Sequence, residues 1–276
     1  MINCSKKIYK FPAKSLEFLL DDQIKSFRGV FNASSNKEFI NIEYDQKSYS
    51  VNDLEKSFLA SKVQTISFFS GAGGLDIGAQ LAGSKVISSL DFDLDSVNTM
   101  QQNKYFSHAE HIHSDIKEIN ANTYSKVISD NNPEKLILIG GPPCQPFSKA
   151  GYWVTHKNRL GNEDPRNMIG QYFRMINEIS PDGFILENVE SLLHPKNHNA
   201  VSEMKETTDK MGYNFIIYKA NSLDFGVPQK RKRVFFIASK KEIIGSPIKT
   251  HGSPQEIEAD ESLKPYETVI QWIAKY

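Results

Sequence analysis

The sequence predicts an α/β fold with a doubly wound, mostly parallel sheet. From about residue 65 onward, short runs of β-branched, aromatic and other apolar residues alternate with segments whose apolar residues recur every three or four positions. Strands that alternate with helices favour βαβ units, in which helices cover both faces of a parallel sheet. The strand-like runs are bounded by Gly, Pro and Asp, and they are residues 64–69, 85–90, 135–140, 182–187 and 233–239. The helix-like segments lie between them, at residues 73–83, 93–103, 165–179 and 200–212.

The two ends of the chain have different patterns. Residues 38–51 alternate like a solvent-facing strand or hairpin, and Asn52 with Glu55 has the spacing of a cap for a short helix that reaches about residue 61. We interpret residues 1–62 as a small α+β extension of unassigned role. Residues 63–240 form the predicted main domain, and residues 241–276 form a C-terminal segment that ends in a short helical pattern.

The composition is typical of a globular protein. The 276 residues include 33 Lys+Arg and 33 Asp+Glu, which gives a formal net charge of zero, and 39% of them are hydrophobic. The sequence predicts neither a membrane span nor a signal peptide, and Cys4 and Cys144 do not indicate a disulfide framework. We therefore expect a cytoplasmic protein. Zero net charge neither indicates nor excludes nucleic-acid binding, because the distribution of charge decides that.

A glycine-rich turn follows the first strand of the predicted main domain. Gly71, Gly73 and Gly74 stand where this strand leads into a helix, so the backbone can turn tightly and point helix N–H groups at a ligand. The next strand ends at Asp91, a position suited to hydrogen bonds with ribose hydroxyls, and Phe92 could stack on an adenine. A third loop carries Asp115 and Ile116. These features predict an adenosine pocket, but they do not distinguish a dinucleotide from another adenosine cofactor.

A proline-rich loop follows a later apolar strand and carries the one interior cysteine. Gly140 and Gly141 are followed by Pro142, Pro143 and Cys144, and these residue types favour a rigid turn. The turn would hold one thiol at the carboxyl end of a strand, where the active sites of α/β proteins lie. Because the thiolate is the reactive form, Cys144 is a candidate nucleophile.

Several segments resemble, in the same order, the motifs of cytosine-C5 DNA methyltransferases. The sequence GGPPCQPFS is similar to their catalytic loop, and SFFSGAGGLDIG resembles their loop for S-adenosylmethionine (AdoMet). The Glu-Asn-Val and Gln-x-Arg-x-Arg motifs follow in ILENVESL and FGVPQKRKRVFFIAS. The resemblance implies a Rossmann-like fold of the AdoMet-dependent methyltransferase type. It also implies that AdoMet is bound by Phe69, Ser70, Gly71, Ala72, Gly73, Gly74, Leu75, Asp91, Phe92, Asp115, Ile116, Gly141 and Pro142.

The resemblance also assigns catalytic roles. The thiolate of Cys144 would add to C6 of cytosine and so push electron density onto C5, which could then attack an electrophilic methyl group. Glu187 would hydrogen-bond or protonate N3, where charge develops, and Asn188 would brace the loop. In the Gln229 motif, Arg231 and Arg233 would lie on one side of an extended chain and contact the target base and nearby phosphates.

The implied partner is double-stranded DNA. A base inside a duplex must be extruded before it can react, so we expect a mobile segment that closes over it, at residues 149–167. The family normally continues into a target recognition domain and further C-terminal motifs, none of which occurs before Tyr276. A second polypeptide that brings these parts, a truncated gene product and an expressed fragment are all compatible with this. A bacterial restriction–modification system is the implied context.

Other functions remain open at this point. A tRNA cytosine-C5 methyltransferase of the related type shares the catalytic loop, and a non-catalytic AdoMet-binding subunit would share the cofactor motifs. A nicotinamide-dependent oxidoreductase fits the glycine turn and Asp91 but gives the Pro-Cys loop no role. His108, His111 and His113 form a cluster without a suitably spaced partner, so we expect surface or loop histidines and no metal site.

Overall fold

The computed structural model describes residues 4–12, 32–35, 39–47, 59, 61–143, 167–240 and 245–270. By contacts, the chain divides into two compact units. One comprises residues 1–54 with 268–276, and the other comprises residues 55–267. No helix in these described parts of the chain is long and apolar enough to cross a membrane.

The smaller unit contains a three-stranded antiparallel sheet in the order β1-β3-β2. Its strands are β1 (Cys4–Pro12), β2 (Asn32–Ser35) and β3 (Phe39–Lys47). Strand β3 covers most of the alternating run at residues 38–51, which predicted a strand or hairpin. The helix predicted after Asn52 falls almost entirely outside the described residues.

The larger unit contains a seven-stranded sheet in the order β6-β5-β4-β7-β8-β10-β9. Strands β4 to β8 are parallel, whereas β10 runs antiparallel to both of its neighbours. The prediction of a doubly wound, mostly parallel α/β sheet is therefore confirmed. The strands are β4 (Val63–Phe68), β5 (Lys85–Asp91), β6 (Glu110–His113), β7 (Lys135–Gly140), β8 (Gly183–Val189), β9 (Asn214–Asn221) and β10 (Lys232–Ser239).

Helices connect these strands, and a small C-terminal part completes the larger unit. The main helices are α1 (Gly74–Leu81), α2 (Leu94–Gln102), α3 (Asn122–Asn131), α4 (Met168–Ile179) and α5 (His198–Lys210). The C-terminal part contains β11 (His251–Gly252), α6 (Pro254–Ala259) and β12 (Lys264–Pro265). Sequence patterns did not predict β6, β9 or α3. Strand β6 and helix α3 are polar enough to lack a clear apolar period, whereas β9 has an apolar run at residues 215–218 that the interpretation missed.

The central strands are buried on both faces. Five of the six residues of β4 are buried, among them the polar Gln64, Thr65 and Ser67, because the strand has β5 and β7 on either side and helices on both faces. Aromatic rings fill the adjacent core: Phe68 makes edge-on contacts with Tyr124 and Tyr172 at centroid distances of 5.5 and 6.0 Å. The Tyr172 hydroxyl donates to the carbonyl of Ile185 at 3.0 Å. This core holds the carboxyl ends of β4, β7 and β8 rigidly.

Candidate active site

The glycine-rich turn after β4 is fastened to the end of β5. The Gly71 N–H donates to Asp91 Oδ2 at 2.7 Å, and the Ser70 N–H donates to the Leu90 carbonyl at 3.2 Å. Phe69, at φ +55°, and Gly71, at φ +53°, both adopt the left-handed region. For a non-glycine residue such as Phe69 this conformation costs on the order of 1 kcal/mol or more, and strained residues of this kind cluster at functional sites.

Gly73 is a residue of this turn at which a side chain would be strained. It lies at the N-cap of α1 with φ +87°, and a Cβ there would overlap the Met100 sulfur, so that the Met100 side chain would have to move. Ala72 and Gly74 flank it, and α1 begins at Gly74. The turn therefore brings the N-terminus of α1 close to the helix α2 that follows β5.

A cavity of about 410 Å³ opens at the carboxyl ends of β4, β5 and β7. Asp91 lies at its edge, where Oδ1 accepts from the Asp93 N–H at 2.9 Å, and the neighbouring Phe92 ring is 73% exposed. Asp115 caps the turn at Ile116–Glu118 by accepting from the Lys117 N–H at 3.0 Å, which holds its loop in place. The lining residues are Phe69, Leu90, Asp91, Phe92, Ser114, Asp115, Ile116, Gly141, Pro143 and Met168.

This first cavity fits an adenosine-containing cofactor. Its volume lies in the range of small-molecule sites, and it offers a carboxylate beside an exposed aromatic ring that could stack on a base. Six of the residues assigned to AdoMet by resemblance line it: Phe69, Asp91, Phe92, Asp115, Ile116 and Gly141. Leu90, Ser114, Pro143 and Met168 were not singled out from the sequence. The first three are direct neighbours of predicted residues, whereas Met168 is distant in sequence and carries no motif.

A second cavity, of about 490 Å³, adjoins the first. Phe69 and Gly141 line both cavities, so the two spaces meet between the ends of β4 and β7. The second cavity is lined by Phe69, Ser70, Gly74, Leu75, Gly141, Glu187, Ala220, Ser222, Phe225, Val227, Arg231, Arg233 and Phe235. It therefore combines one carboxylate and two guanidinium groups with several aromatic and aliphatic walls.

An ion pair joins the charged groups of the second cavity. Arg233 Nε lies 2.8 Å from Glu187 Oε1, and both side chains are about one-fifth exposed. The pair forms because β8 and β10 are antiparallel neighbours in which Glu187 stands opposite Phe235. Arg233 is two residues from Phe235 and so shares its face of the sheet. Arg231 also lines this cavity, in agreement with the same alternation.

The side chain of Asn188 hydrogen-bonds to the start of the proline-rich loop. Its side chain is buried, Nδ2 donates to the Pro142 carbonyl at 3.0 Å, and Oδ1 accepts from the Val189 N–H at 2.9 Å. Cys144, two residues beyond Pro142, lies outside the described residues, as does most of the segment 149–167 that is expected to close over the base.

Gln229 does not line either cavity. Its side chain is exposed, and its main-chain N–H donates to the Val227 carbonyl at 2.7 Å. The walls that sequence reasoning missed are Ala220, Ser222, Phe225, Val227 and Phe235. Phe235 carried a signal, since it follows Arg233 by two positions in a strand, and Phe225 and Val227 lie in the segment FGVPQKRKRVFFIAS that carries the arginine motif. Ala220 in β9 and Ser222 in the β9–β10 connection carried none, because tertiary contacts set their place.

A buried carboxyl group supports the glycine-rich turn. Asp76 in the first turn of α1 is fully buried, and among the described residues no donor meets its carboxylate oxygens at hydrogen-bonding geometry. Desolvation raises the pKa of Asp76 to about 6, the nearby Ser67 hydroxyl offsets this in part, and the negative charge of Asp91 raises the pKa further.

The histidines lie apart from these cavities. His111 bonds through Nδ1 to the Ser89 hydroxyl at 2.7 Å, and His113 Nε2 lies 3.0 Å from the Phe92 carbonyl. Burial lowers the pKa values of His108 and His111. Within the described ranges, no group of three or more His, Cys, Asp or Glu side chains could hold a metal ion.

Comparison with known proteins identifies the family. The model of C-5 cytosine-specific DNA methylases matches residues 63–275. The type II methyltransferase M.FnuDI of Fusobacterium nucleatum is 35% identical over 182 residues, which cover 66% of this chain and 48% of that protein. The type II methyltransferase M.AquIA of Picosynechococcus sp. is 35% identical over 218 residues, which cover 74% of this chain and 85% of that protein. This chain thus spans about half the length of the Fusobacterium relative but most of the Picosynechococcus one.

A solved structure supports the same assignment. A crystal structure from E. coli, described as a DNA modification methyltransferase encoded within a prophage, aligns with a TM-score of 0.55 at 29% identity. The alignment covers 66% of this chain and 49% of that one. The fold is therefore the Rossmann-like fold of AdoMet-dependent methyltransferases, and because the family model matches well over half of its residues, the chain belongs to the C-5 cytosine-specific DNA methylase family.

Proposed function

We propose that this chain transfers a methyl group from AdoMet to C5 of cytosine in DNA through a covalent adduct between Cys144 and C6. The observation that carries the proposal is the meeting of the two cavities at Phe69 and Gly141. A cofactor in the first cavity and a base in the second would place the methyl donor next to its acceptor. Cys144 directly follows Pro143 in the sequence, and Pro143 lines the first cavity.

Asp91, Phe92 and Ile116 would hold the adenosine part of AdoMet in the first cavity, and the turn at Gly71 and Gly73 would approach the rest of the cofactor. AdoMet would supply the electrophilic methyl group. The thiolate of Cys144 would add to C6 of a base held in the second cavity, which moves electron density onto C5. C5 would then displace the thioether S-adenosylhomocysteine from the methyl group. Transfer of the C5 proton to water would let the C6–S bond break, which frees the thiolate and restores the ring.

Glu187 stabilises the charge that develops at N3 of the base. Its ion pair with Arg233 holds the carboxylate beside the second cavity, where it could hydrogen-bond N3 of an entering base. Arg233 and Arg231 would face the oxygen of the base and nearby phosphates, where their planar guanidinium groups suit paired oxygens. The ion pair therefore keeps both of its partners at the same edge of the cavity.

The first experiment measures methyl transfer from labelled AdoMet to mixed-sequence duplex DNA by this chain alone. Cys144→Ala is expected to abolish transfer while calorimetry shows nearly unchanged AdoMet affinity, because Cys144 is not among the residues assigned to the cofactor. A loss of AdoMet affinity in that variant, or transfer at the wild-type rate, would refute the assignment. Duplex DNA with 5-fluorocytosine at the target should trap the covalent adduct, since fluorine cannot leave as a cation.

The same assay separates the remaining alternatives. Transfer to tRNA but not to DNA would favour the tRNA methyltransferase, and AdoMet binding without transfer to either acceptor would favour a non-catalytic subunit or a need for a second polypeptide. Such a polypeptide would supply the target recognition domain. The requirement for this second polypeptide stays a prediction. A role in a restriction–modification system is supported by the type II names of the relatives.

A further inference from the structure

The wall of the second cavity is held in place from outside the sheet. Residues 222–227, here called the cavity wall, form a single 3-10 turn at Ser222–Phe225 and end at Gly226 and Val227. Ser222, Phe225 and Val227 line the cavity. The wall closes on itself, because the Val227 N–H donates to the Ser222 carbonyl at 3.1 Å. Asp224 lies in the middle of this turn and does not line the cavity.

The C-terminal part of the larger unit makes hydrogen bonds to both the main chain and the side chain of Asp224. The Thr250 N–H donates to the Asp224 carbonyl at 2.9 Å, and the Tyr266 hydroxyl lies 3.2 Å from Asp224 Oδ1. A third contact follows at Gly226, whose φ is +78°: a Cβ there would be 2.6 Å from the His251 ring. The main chain and the side chain of Asp224 are thus both tied to residues more than 20 positions later in the sequence.

The hydroxyl of Tyr266 has one proton and two carboxylates within reach. Glu256 Oε2 also lies 3.2 Å from it, but this oxygen already accepts from the main-chain N–H and the hydroxyl of Ser253, each at 2.8 Å. The other oxygen of Glu256 is paired with Lys249. Asp224 is therefore the less saturated acceptor, and the Tyr266 proton goes to it. Desolvation, followed by the hydrogen bonds and negative charges of the two carboxylates, raises the pKa of Tyr266 to about 12, so the hydroxyl keeps this proton at neutral pH.

We propose that Tyr266 is a positioning residue for the target base: through Asp224 it fixes the cavity wall and so keeps the second cavity at the width that a cytosine needs. The inference rests on the proposed function for the identity of the base. It also explains the use of the segment around β11, α6 and β12, which contains no residue of either cavity. The tether holds residues 222–227, none of which lines the first cavity or is assigned to AdoMet. Ser70, Gly74 and Leu75, which are assigned to AdoMet, reach the second cavity from the turn after β4, so the tether should affect the base and leave these cofactor contacts in place.

Tyr266→Phe tests the tether, because it removes only the hydroxyl. A matched control is Ser262→Ala, which removes the bond from the Ser262 hydroxyl to Asp260 Oδ1 in the same segment without reaching the wall. Hydrogen exchange followed by mass spectrometry should show amide exchange at residues 222–227 rising about three- to ten-fold in Tyr266→Phe, the loss expected for one hydrogen bond. The control should exchange like the wild type there.

Activity gives a second readout. For Tyr266→Phe the KM for DNA should rise about three- to ten-fold, while the AdoMet dissociation constant stays that of the wild type. Asp224→Asn, which keeps an oxygen acceptor and the main-chain bond to Thr250, should retain a nearly normal KM, whereas Asp224→Ala should resemble Tyr266→Phe. The double variant of Asp224→Ala with Tyr266→Phe should be little worse than either alone.

The outcomes separate this inference from the proposed function. Unchanged exchange at residues 222–227 in Tyr266→Phe overturns the inference whether or not the chain methylates DNA. A general rise of exchange throughout the larger unit overturns it as well, since that would mean lost stability and not a local tether. An active wild type whose Tyr266→Phe variant has a normal KM likewise overturns it. A wild type that transfers no methyl group to DNA counts against the proposed function alone, and the exchange result still decides the tether.

Discussion

Asp76→Asn should stabilise the protein, and increasingly so as the pH rises. The carboxyl group of Asp76 is fully buried beneath the glycine-rich turn, and desolvation raises its pKa from 3.8 to about 6. The wild-type protein must therefore ionise a buried acid at neutral pH, at a cost of about 3 kcal/mol in the free energy of unfolding. Asparagine has the same shape and cannot ionise.

The pH dependence follows from the direction of the shift. A raised folded-state pKa means that the native state binds the Asp76 proton more tightly than the unfolded chain does. The contribution of this tighter proton binding to the free energy of unfolding is fully present below about pH 3.8 and is lost as the pH rises through about 6. Between pH 4.5 and 7.5, the advantage of Asp76→Asn over the wild type should grow by about 2 kcal/mol.

Urea unfolding at these two pH values measures the difference, because all other titrating groups are shared by the two proteins. Asp93→Asn is a control without this pH dependence: Asp93 is exposed, and its hydrogen bonds to Ser96 lower its pKa. Its stabilising effect is present above the ordinary pKa of 3.8 and is lost only as the pH falls below that value, so Asp93→Asn should change the stability by nearly the same amount at pH 7.5 and at pH 4.5. An advantage of Asp76→Asn that is equal at both pH values, or larger at pH 4.5, would refute the desolvation argument.

Two further predictions concern the backbone around the cavities. Gly73→Ala should lower the free energy of unfolding by about 1–3 kcal/mol, because of its positive φ and the overlap of the new Cβ with the Met100 sulfur. Gly78→Ala, in α1 with no atom within 4 Å, should raise it by about 0.5–1 kcal/mol in the same thermal melts. Asn188→Ala should cost about 1–3 kcal/mol and reduce methyl transfer, since the Pro142 carbonyl loses its donor; unaltered melting and transfer would contradict this role.

The first cavity follows closely from local sequence. Apart from Met168 in α4, its walls lie at or just after the carboxyl ends of β4, β5, β6 and β7, and parallel strands bring these ends to one edge of a sheet. Apolar runs bounded by Gly and Asp were enough to find three of these four strands. Strand β6 was missed because it has only four residues, none of them fully buried. The site roles assigned to these residues stay predictions.

Local sequence patterns could not predict which residues line the second cavity together. The pairing of Glu187 with Arg233 requires β10 to insert antiparallel beside β8, and alternation along one strand gives no direction relative to its neighbour. Gln229 shows the same limit, because it belongs to the motif of Arg231 and Arg233 yet stands exposed on the preceding turn. A motif identifies residues, whereas the side chains that share a cavity are chosen by the path of the backbone.

The sequence by itself determined the α/β class, the family and the elements of the cofactor cavity, because strand and helix periods, glycine turns and motif order are all local properties of the chain. Tertiary structure alone decided the cavity wall at residues 222–227, the contact of Tyr266 with Asp224 and the burial of Asp76. Each of these depends on atoms that are distant in sequence or on removal from water, and such contacts exist only after the sheet has assembled.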